Sequence, residues 1–157
     1  MRICVGLIGR SGGWEELLRQ EGVPFGPVHL GESTAEMFSA VVACRKMTGD
    51  EADFLRGYLR SGGAILGCSM FLRELVPVER DPVRLKYVWP DQDTWIPGLS
   101  LMDVETEGVI PREASILRTE QNDFAVFAGE VHGGYALITP FDRGHAFEDF
   151  RASERYF

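Results

Sequence analysis

Lysine, histidine and cysteine are scarce in this 157-residue chain. Lys46 and Lys86 are the only lysines, and there are 3 histidines and 3 cysteines. With 16 Lys+Arg against 24 Asp+Glu, the formal charge is −8 at pH 7. That balance speaks against sequence-independent binding to nucleic acid or to an anionic membrane, since both need a net cationic face. The near-exclusive use of arginine for positive charge reads first as a bias of the source genome. Long apolar runs are also missing: every one is strand-sized, so no segment is built to span a bilayer. The start, Met1 to Gly9, is basic but lacks the long apolar region and small-residue cleavage site of a signal peptide. Cys4, Cys44 and Cys68 are odd in number and show no CxxC spacing, which excludes a disulfide framework. A reducing, cytoplasmic setting is expected, with Cys4 and Cys44 as small buried hydrophobes.

What is present is ordinary globular material, 45% hydrophobic and 25% charged, which argues against disorder, collagen and coiled coil. A chain of this size buries roughly 68–70% of its unfolded surface, enough for one core. A single domain over residues 1–157 is the expectation.

The first half alternates buried strands with helical patterns. Residues 2–9 form an apolar strand, followed by a glycine-rich turn and a helix from Trp14 to Gln20. Phe25 to Leu30 reads as a second strand, and Ser33 to Glu36 has capping-box spacing before a short helix. Ser39 to Cys44 is a further buried strand. Thr48-Gly49-Asp50-Glu51 is a better capping box, because it opens an amphipathic run with Phe54, Leu55, Tyr58 and Leu59 on one face. Gly62-Gly63 ends that run. Ala64 to Cys68 is strand-like, with a helical segment at Phe71 to Leu75. Buried strands separated by helices predict βαβ crossovers and a parallel sheet covered on both faces.

From Arg84 onward the pattern changes to strand-length runs separated by turns, at 84–90, 100–106, 114–120, 123–131 and 135–142. His132-Gly133-Gly134 reads as a tight hairpin turn in which glycine supplies positive φ. The second half should therefore add antiparallel strands to the parallel sheet.

Three places could carry chemistry. Gly9-Arg10-Ser11-Gly12-Gly13 links a strand to a helix, where backbone N–H groups and the helix dipole favour phosphate. It matches neither G-x-G-x-x-G nor the P-loop, so a plain tight turn is the favoured reading. At Gly62 to Leu72, a helix ends in Gly-Gly, a buried strand follows, and Gly67-Cys68-Ser69 leads straight into a helix. That is the order of a nucleophile elbow, in which the turn residue stands exposed above the sheet. A helix N-terminus there would favour a thiolate. Tyr87, Trp89 and Trp95 bracket Asp91 and Asp93, a pattern that can form a sugar platform and more commonly packs a hairpin onto the core. Asp91-x-Asp93 lacks the glycine and glutamate of a calcium loop, and no metal or other cofactor is expected.

On the Gly-Gly, strand and Gly-Cys-Ser stretch, the chain resembles the class I glutamine amidotransferase-like (flavodoxin-like) superfamily. The resemblance implies α/β architecture: a flavodoxin-like three-layer sandwich, its mainly parallel sheet extended by antiparallel strands in the second half. Members carry Gly-x-Cys-x-Gly with cysteine as nucleophile. Aligned on Ile65-Leu66-Gly67, Cys68 takes the variable position, Ser69 the nucleophile position, and Phe71 replaces the second glycine. Shifting by one residue makes Cys68 the nucleophile. Active members end on a strand leading into His-Pro-Glu. Here Thr139 stands for the histidine, Pro140 is retained and Phe141 stands for the glutamate. A hydroxyl without an adjacent imidazole is a poor nucleophile. His29, His132 and His145 lie in loop or turn contexts, His145 being near the strand end at Asp142. The resemblance thus implies a vestigial site: Cys68 and Ser69 at a degenerate elbow, with Thr139, Asp142 and His145 as the remnant base region.

The final hairpin, Gly133 to Asp142, also resembles the amidotransferase-like domains attached to carbohydrate-active proteins. These include parts of polysaccharide deacetylase-like proteins and the trimerisation domain of some β-galactosidases. No deacetylase metal signature is present. The expected function is a catalytically inactive binding, regulatory or assembly module. The rival is a hydrolase or thiol-dependent enzyme using Cys68 or Ser69. If a ligand binds, the carboxyl ends of the strands are the expected place, through Gly9, Ser11, Gly12, Gly67 and Met70. A small molecule or carbohydrate, a second domain or protein, and a second copy of the chain remain open as partners. The two terminal aromatics, Tyr156 and Phe157, look unfinished for a soluble terminus, which suits the front piece of a larger protein.

Overall fold

Hydrophobic alternation decides which face each strand residue takes. The computed structural model describes residues 4–31, 35–75, 79–90, 99–109, 115–119 and 124–139, with side chains at 4–31, 36–68, 70–75 and 128–138. In chain order the elements are β1 (Val5–Ile8), α1 (Gly12–Gln20), β2 (Phe25–Pro27), a 3-10 turn (Ala35–Met37), β3 (Ala40–Ala43), α2 (Gly49–Arg60), β4 (Ala64–Cys68) and α3 (Ser69–Leu72). Five strands complete the described residues: β5 (Glu79–Pro90), β6 (Leu99–Val109), β7 (Ser115–Thr119), β8 (Phe124–Val131) and β9 (Gly134–Thr139). One nine-stranded sheet has the order β2-β1-β3-β4-β9-β8-β7-β5-β6.

The period of two assigns the faces. Val5 and Leu7 of β1, Val42 of β3 and Cys44 just beyond it pack with Trp14 and Leu18 of α1. Ile8, Val41, Ala43, Ile65, Ala136 and Ile138 point the other way, onto Ala52, Leu55, Tyr58 and Leu59 of α2. Helix, sheet and helix make three layers. Leu55, Leu59 and Val41 are fully buried, so the larger core lies between α2 and the centre of the sheet.

The helix starts follow their caps. Ser11 accepts from the Trp14 amide at the start of α1. Thr48 and Glu51 close a reciprocal capping box on α2. The helix after β4 begins at Ser69, two residues before the sequence reading, and its four residues are followed by turns at 73–75.

β1, β2, β3, β4 and β9 form four parallel ladders, and β9, β8, β7, β5 and β6 form four antiparallel ones. The fifth parallel position belongs to β9, which closes the flavodoxin-like order 2-1-3-4-5. The sequence reading gave that strand a hairpin partner and set Thr139 near Gly67 to Met70, without naming β4 as its parallel neighbour. The strand has both partners: β9 pairs with β4 in parallel, Ala64 to Tyr135 through Cys68 to Thr139, and with β8 antiparallel. The linking turn takes positive φ at His132 (52°) as well as at Gly133 (87°), as a type I′ turn requires at both central residues. Although β6 is last in the sheet order, α3 lies against it, so the antiparallel extension curls back toward the end of β4.

Candidate functional site

Parallel strands collect their outgoing turns at one end, so the carboxyl ends of β1, β3, β4 and β9 define the candidate site. Cys68 and Thr139 end their strands as direct register partners, and Ser69 follows Cys68 as the first residue of α3. The Gly9-to-Gly13 turn leaves β1 at the same end, two strands away from β4, a lateral separation of about 10 Å. Gly67 to Met70 and Thr139 therefore adjoin, with the glycine-rich turn beside them. Asp142 and His145 lie outside the described residues, as do Pro140, Phe141, Asp91, Asp93, Trp95 and the terminal residues 147–157. The backbones of Tyr87 and Trp89 lie in β5.

The strand-to-helix step is present, but the elbow conformation is not. A nucleophile elbow is a strained turn that exposes its reactive side chain. Cys68 instead has extended backbone, φ −81° and ψ 154°, and is only 4% exposed. Among the described residues His132 alone takes positive φ without being glycine, so neither Cys68 nor Ser69 carries the strain. Leu72, fully buried, reaches back over Gly67, where an added Cβ would stand 3.2 Å from Leu72 Cγ and Cδ1. The helix is drawn into the core instead of standing clear of it.

No described imidazole lies beside Cys68. His132 sits in the hairpin at the opposite end of β9, its Nε2 3.1 Å from the Leu75 carbonyl. Gly134 and Thr139 bound that strand, a run of roughly 17 Å at the rise of an extended chain. His29 follows β2 on an exposed loop, at the Cys68 end of the sheet but three strands from β4. Among the described residues no three of His, Cys, Asp or Glu are grouped to hold a metal.

The glycine-rich turn has its own structural duties. Ser11 caps α1, Gly12 is exposed as its first residue and Gly13 is buried. Met70, on α3, is 40% exposed. Sequence reasoning missed Arg45, which leaves β3 at this end and reaches across to Glu51. Donation from Arg45 holds the Glu51 carboxyl below the usual carboxylate range, with the Thr48 amide adding to it against partial burial. The same pairing raises the Arg45 guanidinium. A basic residue directly after a buried strand, six positions before a capping glutamate, was the available signal.

The arrangement defines an α/β domain with a flavodoxin-like parallel half and an antiparallel extension. No protein-family model and no curated protein matches the sequence. Solved structures do match. The exo-beta-1,4-mannosidase Op5Man5 from Opitutaceae bacterium strain TAV5 has a TM-score of 0.68 at 13% identity, over 96% of this chain and 33% of that one. The beta-galactosidase from Bacillus circulans sp. alkalophilus also reaches 0.68, at 9% identity over 96% of this chain and 30% of its own. The cytoplasmic protein STM1381 from Salmonella typhimurium LT2 gives 0.63 at 14% identity, over 89% and 88%. At these identities the likeness is one of fold. This chain spans about a third of the length of the two glycosidases. Among the described residues no helix is long and apolar enough to cross a membrane.

Proposed function

We propose that this chain is a non-catalytic amidotransferase-like domain that acts as an assembly module, of the kind that carbohydrate-active proteins carry beside their catalytic parts. The observation that carries the reading is coverage. Two glycosidases contain this architecture as one third of a longer chain, while STM1381 has it over most of its length. The fold is thus used both inside an enzyme and alone. Burial of Cys68 and the absence of a described imidazole beside it agree with a lost reaction.

Two measurements on the purified chain test the proposal. Glutamine, p-nitrophenyl acetate and p-nitrophenyl β-glycosides should not be turned over, and iodoacetamide near neutral pH should label Cys68 slowly. Turnover that disappears in Cys68→Ala or Ser69→Ala would replace the module reading with the hydrolase one. Sedimentation equilibrium should show self-association at micromolar concentration. A strict monomer would retire assembly between copies as the role.

A further inference from the structure

Neighbouring strands β1 and β3 send their helices to opposite faces of the sheet, α1 to one and α2 to the other. Such a reversal leaves a crevice outside the carboxyl ends of the two strands, where flavodoxin-like sheets take their ligand. Here that position holds a side chain of the protein itself. Arg45 follows β3, and its stem lies over Gly9 at the end of β1. A Cβ built on Gly9 would stand 2.7 Å from Arg45 Cγ and 3.1 Å from Cδ and Nε. The head is tied down separately. Nη1 donates to Glu51 Oε2 at 3.0 Å, Nη2 to Oε1 at 2.7 Å, and Nη1 also to the Lys46 carbonyl at 2.9 Å. Glu51 is itself fixed, because Oε2 accepts from the Thr48 amide at 2.8 Å within the capping box.

We infer that Arg45 is a strap across the switch-point crevice, seated on Gly9 and anchored by Glu51, which keeps that crevice closed with the protein's own side chain. Gly9 is part of the device. Its φ of +88° suits glycine, and the missing side chain leaves room for the arginine stem. A two-point charge-assisted pair holds the head better than a single contact would. The strap joins three elements: the turn after β1, the exit of β3 and the first turn of α2. It closes the ligand position independently of whether the domain assembles.

A double-mutant cycle tests the seat. Gly9→Ala strains the backbone in any background, but drives a methyl into the arginine stem only where Arg45 is present. Urea unfolding should show Gly9→Ala lowering the folding equilibrium constant about fivefold more in wild type than in Arg45→Ala, the size of coupling that contacting residues show. Effects equal within about twofold are additive and overturn the seat. Closure is tested on the wild type with flavin mononucleotide, the ligand this sheet order accommodates elsewhere. No saturable fluorescence quenching is expected up to about 1 mM, an affinity near the weak limit of specific binding. Saturable quenching accompanied by shifts of the Gly9 and Arg45 NMR resonances overturns closure. Glu51→Gln retains a capping-box residue and serves if the glycine variant fails to fold. The Arg45 Nη–H resonances should exchange with water faster in that variant, and unchanged exchange overturns the anchor.

Discussion

Gly134 lies where two turns meet backbone to backbone. Any Cβ there would collide with the Gly63 carbonyl oxygen and approach the Leu59 carbonyl oxygen to 2.7 Å. The adjacent Tyr135 amide donates to that same Gly63 oxygen at 2.9 Å. Neither obstacle is a flexible side chain, so relief requires the hairpin to move away from α2. Gly134→Ala should cost about 1–3 kcal/mol in urea unfolding, the range for overpacking. Glu51 offers a second test at this scale. Its folded pKa is depressed, so its contribution is present above the unfolded value and is lost as pH falls through the folded one. Wild type should lose stability relative to Glu51→Gln as pH falls below about 4.3. Because Arg45 is 48% exposed at the side chain, the difference should stay below about 1 kcal/mol. Urea midpoints at pH 7 and pH 3 measure it.

At the scale of elements, α2 shows what local sequence can specify. Thr48 and Glu51 mark its start, and Leu55 and Leu59 fall on the face that becomes fully buried. Thr48→Ala should cost about 0.5–2 kcal/mol through the cap. Leu55→Ala should cost about 2–5 kcal/mol through the cavity. Thermal or urea melts of the two variants order them. The parallel strands were legible for the same reason: runs such as Val41-Val42-Ala43 are apolar on both faces because both faces are covered. β9 was harder to place. Its hairpin signal is local, whereas its partnership with β4 joins Ala64 to Tyr135, and no turn residue announces that. The candidate site was legible as an order of strand, turn and helix. The burial of Cys68 was not, because strand periodicity does not say what covers the end of a strand. For Arg45 the spacing to Glu51 was the available signal, but its seat on Gly9 was illegible, since that exists only once β1 and β3 are paired.

For the whole molecule, β9 is the seam. It gives the parallel sheet its fifth strand and the antiparallel extension its first, and its Ala136 and Ile138 complete the core over α2. A chain ended after Leu75 would keep α1, α2 and four strands but leave β4 as a bare edge beside an open core. It should show no cooperative thermal transition by circular dichroism, whereas the full chain should. The assembly reading belongs to this scale too, because it treats the domain as a unit that longer proteins incorporate entire.

The position of that seam also sets a schedule for synthesis. A ribosome that has delivered Cys68 must still deliver the chain through Thr139 before the two become register partners. At ordinary elongation rates that takes roughly 4–14 s, not counting passage through the exit tunnel. Throughout that interval the apolar side of α2 has no completed sheet to cover it. Slower translation between β4 and β9 should therefore lengthen the exposure of that face rather than shorten it.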